Sequence, residues 1–305
     1  VTADLPLAAA GARVMLEQLA RIESFEAGAR SGDDPEDVHR MRVATRRLRA
    51  ARRVFEDALD GASLDRANEA LKALASALGK VRDLDVFVAA LRAHAAAAPP
   101  ADRPALERLI AGRERARPDA QAELRALLDG GAVDYLRGDF RRLLEEIASR
   151  TASKDHTGKG RERVRRAAPR LIVKALRRLY RDEDDLLAPA SSELHERRIT
   201  AKRARYAGEF FAPAFGDALQ EPIERLTAVQ DVLGEVHDAD VAVAVLLGEI
   251  ERVSGVPAEA PDGGPIARLA ARYAAARDAH LTVVRERWRA LPRPKALRQA
   301  LRRAA

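Results

Sequence analysis

The sequence predicts an all-α protein, and three observations carry that reading. Between clusters of proline and glycine, apolar residues recur at the 3.6-residue period of a buried helix face. Alternating apolar and polar runs long enough for a strand are missing. Hydrophobic residues make up 47% of the 305 positions and aromatics only 4%, so alanine, leucine and valine must fill the core, a composition that suits closely packed helices.

The elements follow in order. Residues 4–30 form a first amphipathic helix that ends at Ser31-Gly32-Asp33. Asp34-Pro35-Glu36-Asp37 is a helix start, with an N-cap residue, proline in the first turn and acids at the positive end of the dipole. The helix it opens runs to about Leu59, and a long helix over 64–95 is broken at Pro99-Pro100. Helices over 104–128 and 133–150 complete the first half. The polar stretch Ser153 to Gly160 links it to a second half in which the order recurs. There, a helix over 161–181 contains Pro169, a point for a kink. It leads to Asp182-Glu183-Asp184-Asp185, read as a solvated loop rather than a cation site. Ser191 or Ser192 caps the next helix, and a long one covers 217–252. A loop from Ser254 to Pro265 precedes a helix to about Leu291 and a short C-terminal one. The division expected is 1–152 and 161–305, with 153–160 as linker.

Lys plus Arg is 54 against 47 acids, a net +7, so where the charge sits matters more than its total. The absence of cysteine removes disulfides, thiol catalysis and cysteine-ligated zinc. The N-terminal residues show no basic and apolar leader pattern, and no run of 18 apolar residues occurs, so the expectation is a cytoplasmic protein without a membrane span.

The charge is patterned. His39 opens a run of cations at Arg42, Arg46, Arg49 and Arg53, and His195 opens Arg198, Lys202 and Arg205. Offsets of 3, 7 and 10 fall within roughly 80° of one helix face. Met41, Ala44, Leu48, Ala51 and Phe55 lie on the opposite face and read as core. Arg47 and Arg203 flank the stripes, where they face either a ligand or a neighbouring helix. A second repeated window, L78-G-K-V-R-D-L-D-V86 and L233-G-E-V-H-D-A-D-V241, is identical at six of nine positions, which makes chance a poor explanation and points to an internal duplication. Duplicated halves commonly pack about a pseudo-twofold axis, which would bring both stripes into one site. Glu196 and Glu209 stand where the first motif has Arg40 and Arg53, so the second stripe is shorter.

In the long helices Asp85 and Asp240 interrupt apolar faces, and an acid there needs a cationic partner. Each is expected to hold a motif-helix arginine. Arg82 and His237, beside them, face either the same site or the surface. A third stripe, Arg163, Arg166, Arg170, Lys174 and Arg177, is either site lining or solvent-exposed; Arg170 and Lys174 are its candidates. His94, His156 and His280 have no constellation around them.

H39-R-M-R-V-A-T-R-R-L-R49, H195-E-R-R-I-T-A-K-R-A-R-Y206 and V229-Q-D-V-L-G234 resemble the CHAD domain, the conserved histidine α-helical domain, over roughly residues 5–290. The resemblance implies two helical bundles in pseudo-twofold arrangement around a basic central cavity that binds inorganic polyphosphate. Such a ligand carries only charge and oxygen acceptors, so arginine forks, lysine and histidine are the groups that would hold it. The expected function is a non-catalytic polyphosphate-binding module, cytoplasmic or at polyphosphate granules, with no cofactor or metal.

The alternatives were a phosphate-processing enzyme or an accessory to a metal-dependent phosphohydrolase, and a nucleic-acid binder. No phosphate-binding glycine loop is present, and Gly158-Lys159-Gly160 is only a fragment. Histidines surrounded by cations repel a metal. The stripes lack interleaved aromatics for base stacking, leaving weak non-specific nucleic-acid binding at most.

Overall fold

The computed structural model describes residues 1–59, 61–150, 155–181, 191–254 and 264–304, and within these it is built of helices. The acidic run Asp182–Asp185, most of the expected 254–265 loop and the first residues of the expected linker lie outside the described residues.

The first expected helix is two. α1 (Leu7–Ser24) ends at Phe25, and α2 (Glu26–Ser31) closes on Gly32, whose φ of 76° favours glycine. The cap at Asp34 forms as its side chain implies: its carboxylate accepts from the Glu36 amide at 2.8 Å, and Pro35 occupies the first turn of α3 (Pro35–Val54). α3 stops short of Leu59 because Phe55 leaves the helical path and the chain makes a 3-10 turn over Glu56–Ala58. The Phe55 ring is fully buried against Gly11, where an added Cβ would lie 2.7 Å from it. Only glycine lets α1 pass that close.

α4 (Gly61–Ala97) and α5 (Arg103–Leu128) form a long hairpin. α6 (Gly131–Tyr135) continues through a wider π turn at Leu136–Phe140 into α7 (Arg141–Ser149), which packs on α1. A 3-10 turn at Gly158–Arg161 delays α8 to Val164–Leu179, and Pro169 sits buried inside it. α9 (Ser191–Phe215) carries the second motif, α10 (Asp217–Ser254) and α11 (Pro265–Arg289) form the second long hairpin, and α12 (Pro294–Ala304) packs on α8.

Packing partners recur in order: α1 on α3, α3 on α4 and α4 on α5 in the first half, α8 on α9, α9 on α10 and α10 on α11 in the second. One hydrophobic core nevertheless runs through both, from Leu7 and Met15 to Trp288 and Leu301. It includes the whole predicted apolar face of α3: Met41, Ala44, Leu48, Ala51 and Phe55 are all buried. Near the N-terminus the Leu7 amide donates to the Glu162 carbonyl and the Val164 amide to Leu5, tying the start of the chain to the entry of α8. A second apolar cluster joins the two hairpins, with Leu91, Leu106 and Leu109 meeting Leu246, Leu269 and Ala270. Arg268 and Asp102 add an ion pair of 2.5 Å there.

Candidate functional site

α3 and α9 pack directly on each other, and that contact decides what each basic side chain can do. At the seam Phe55 meets Phe211 edge to face, with ring centroids 5.3 Å apart, and Phe210 at 6.4 Å. These rings set how far apart the two helices lie. Three groups of cations result.

The first group is composite. Arg46 of α3 lines a cavity of about 230 Å³ with Arg198 and Lys202 of α9 and with Gln230, Asp231, Gly234, Glu235 and Asp238 of α10. Arg42 adjoins it, pairing with Asp83 of α4 at 3.5 Å. Crowding like charges in a half-buried space disfavours the charged forms. Burial first, then Arg198, Arg46 and Arg42, lowers Lys202 from its ordinary 10.5 to about 7. Burial also lowers Arg198, with Arg46 and Arg42 adding to it and Asp238 opposing. His237, its ring 4.9 Å from that of His195, is lowered by burial, Arg198 and His195. His39 is lowered by burial and then by Arg82, with Arg46 and Arg42 contributing. Of the predicted residues, His39, Arg42, Arg46, Arg82, His195, Arg198, Lys202 and His237 thus form one neighbourhood. Among the described residues, Arg46 and Arg198 each leave a buried Nε without a hydrogen-bond partner. The group is therefore charged, partly desolvated and incompletely satisfied.

The second group is spent on structure. Glu209 of α9 accepts from Arg47 of α3 and, at 2.7 Å, from Arg205; Arg205 Nε also donates to Gln230 at 2.8 Å. The Arg47 guanidinium lies over the rings of Tyr206 and Phe210 as well. Arg205 was expected on the ligand face, but its carboxylate and amide partners hold it to α9 and α10, and Arg47 resolves toward the neighbouring helix. Glu209 is a clamp between the motif helices, not simply a missing charge.

The third group lies on the far side of α9. Arg52 and Arg53 of α3, Lys174 and Arg178 of α8 and Arg203 of α9 line a cavity of about 340 Å³, with Glu56, Asp57 and several apolar side chains. Arg49 is near it, lowered by burial and then by Arg53 and Arg52. Arg53, expected in the first stripe, and Arg203, expected on the flank of the second, therefore line a different cavity from Arg46 and Lys202. Arg170 is not part of this lining; it pairs with Glu162 at 2.6 Å.

Asp85 and Asp240 do not hold motif-helix arginines. Asp85 accepts from Arg117 of α5 at 3.0 Å, and Asp240 from Arg277 of α11 at 2.6 Å. Each acid belongs to its own hairpin because it lies on the side of the long helix that faces the following helix. The acids that do face the motif helices, Asp83 and Asp238, are the first of each D-x-D pair, two residues and so ~200° round the helix from the second. The repeated D-x-D was the available signal. Arg52 and Arg178 had none, since nothing in the sequence places α8 against the end of α3. His156 is buried, its Nε2 donating to the Arg150 carbonyl at 2.8 Å, a structural role.

Among the described residues no group of three or more His, Cys, Asp or Glu is placed to hold a metal ion, and no helix is long and apolar enough to cross a membrane.

The comparisons with known proteins agree with this architecture. No curated protein matches the sequence. The fold is similar to the crystal structure of the CHAD domain from the plant Ricinus communis, with a TM-score of 0.65 and 24% identity over 99% of this chain and 93% of that one. It is also similar to PptA from Streptomyces chartreusis, with a TM-score of 0.66 and 17% identity over 93% of this chain and 99% of the other. The sequence model of the CHAD domain matches residues 13–247, most of the chain, and the protein belongs to the CHAD family.

Proposed function

We propose that the composite group binds inorganic polyphosphate without cleaving it. The observation that carries this is the meeting of Arg42 and Arg46 from one motif helix with Arg198 and Lys202 from the other. Asp231, Glu235 and Asp238 share the lining, yet burial and the neighbouring arginines still hold Lys202 down to about 7, a cost that an anion supplying several charges at short spacing would relieve. Arginine forks match the paired oxygens of phosphate, and a flexible phosphate chain can follow a seam between helices. Asp83 and Asp238 act as internal counter-ions that hold the cations in place until the ligand displaces their influence. We further read the two motif regions as duplicated halves of a single binding module.

The placement of the acids supports binding without turnover. Hydrolysis of a phosphoanhydride calls for carboxylates that converge to hold a metal or to orient water. Asp231, Glu235 and Asp238 share one cavity with Arg46, Arg198 and Lys202, no acids among the described residues are grouped to hold a metal ion, and Asp85 and Asp240 are engaged by Arg117 and Arg277.

Calorimetry with long-chain polyphosphate, short oligophosphates and duplex DNA tests the reading. Expected is a salt-sensitive affinity that grows with polyphosphate chain length and leaves the polymer intact. The R42E/R198E variant should abolish binding at the composite group while its far-UV circular dichroism stays unchanged. Equal affinity for DNA would reduce the site to general polyanion capture, and shortening of the polymer would make the protein an enzyme.

A further inference from the structure

The cavity on the far side of α9 has an origin that can be traced residue by residue. In the motif, Arg47 and Arg203 are equivalent, and so are Arg53 and Glu209. Across the seam Arg47 finds Glu209 and is neutralised. Arg203 finds Arg53 at the corresponding place, so the same geometry that gives an ion pair on one flank gives two like charges on the other. Arg203 is lowered by burial and then by Arg53, with Arg178 adding to the effect and Glu196 opposing it. Arg52, Lys174 and Arg178 bring further positive charge to the same walls. Of the two acids present, Asp57 is already bound by Lys159 at 2.9 Å. Among the described residues, Arg52 leaves a buried Nε without a partner. Two adjacent arginines where the other flank has a salt bridge form a gap that an anion fills.

We propose that the cavity lined by Arg52, Arg53, Lys174, Arg178 and Arg203 is a second oxyanion site, separate from the composite group, that takes a short linear phosphate anion. The cations come from three helices, so they converge on a compact ligand from different directions rather than tracking an extended one. α9 stands between the two cavities: one is closed by α10, the other by α8. Lys202 and Arg203 are consecutive and about 100° apart on the helix, which sends one to each side. The choice of a phosphate chain as ligand rests on the reading of the first site, whereas the existence of an anion site here does not.

The test is calorimetry with tripolyphosphate on the full chain. The wild type should bind at two sites. R53E/R203E should lose one and keep the other, R46E/R198E should show the reverse pattern, and the quadruple variant should bind none. R53Q/R203Q, which removes the charges without reversing them, should weaken the second site roughly tenfold, as loss of charged hydrogen bonds does, and serves if charge reversal disturbs folding. Two sites retained in R53E/R203E and R53Q/R203Q would overturn the proposal. So would loss of all binding in both double variants, which would mean one continuous site. Binding that survives R46E/R198E unchanged but vanishes in R53E/R203E would leave this site standing and overturn the first. Tripolyphosphate bound at neither site, by a wild type that takes long polyphosphate, would overturn this proposal alone.

Discussion

Lys202 is the residue at which charge and burial meet most sharply. In the empty protein it titrates near pH 7, well below its ordinary 10.5, because it is half-buried beside Arg198, Arg46 and Arg42. A bound polyanion favours its charged form, so binding above pH 7 draws in a proton. Affinity for polyphosphate should therefore fall as pH rises from about 7 to 9, with proton uptake measurable as a buffer-dependent binding enthalpy; K202M should flatten that part of the profile. The sign for stability runs the other way. Between about pH 7 and 10.5 the unfolded chain holds more protons at this lysine than the folded one, so the wild type should gain stability relative to K202M across that window. Urea midpoints of both proteins at pH 7 and pH 9 measure it. The sequence shows Lys202 in a stripe but not its burial, because burial here comes from α10 and from cations 156 positions away in the motif register (Arg46 against Lys202).

At the level of helices, the seam between α3 and α9 is made of both apolar and ionic contacts. Glu209 is shared by Arg47 and Arg205, and all three side chains are largely withdrawn from water. Deleting the shared acid leaves two half-buried guanidinium groups without a carboxylate. E209A should destabilise the fold by about 2 kcal/mol, in the range for a lost charged hydrogen-bond partner, read as a lower urea midpoint with an unchanged slope. E209Q should retain part of the loss, since its amide oxygen still accepts one hydrogen bond. The apolar half of this seam was legible: period 3.6 put Met41, Leu48 and Phe55 on one face, and that face is buried. The ionic half was not. Glu209 read as a weakening of the second stripe because sequence spacing relates residues along one helix and says nothing of a partner 162 positions away. The same limit hid the turn of Asp85 and Asp240 toward Arg117 and Arg277.

Across the whole molecule, two helical halves are visible in the sequence, but their mutual dependence is not. The core is continuous from α1 to α12, the N-terminal residues hydrogen-bond to the entry of α8, and the hairpins share a small apolar cluster. A fragment of residues 1–152 would expose Phe55 and the α1 face that meets the second half. It should lack a cooperative urea transition, whereas the full chain should unfold in a single one followed equally by fluorescence of Trp288 and by helicity. Independent cooperative folding of the fragment would make the halves domains in their own right. The proposed binding also belongs to this scale, because the cavity's cations come from both motif helices, Arg46 from α3 and Arg198 and Lys202 from α9.

The contact between Phe55 and Phe211 couples the two motifs. These are matching motif positions, and they touch. A change in the volume of one ring must be absorbed by the other, so a substitution at either position is felt at both. Positions 53 and 209 meet different neighbours and carry opposite charges, an arginine and a glutamate. The same pairing of positions thus gives a shared apolar contact at one point of the seam and, at positions 53 and 209, a glutamate clasp on one flank and facing arginines on the other.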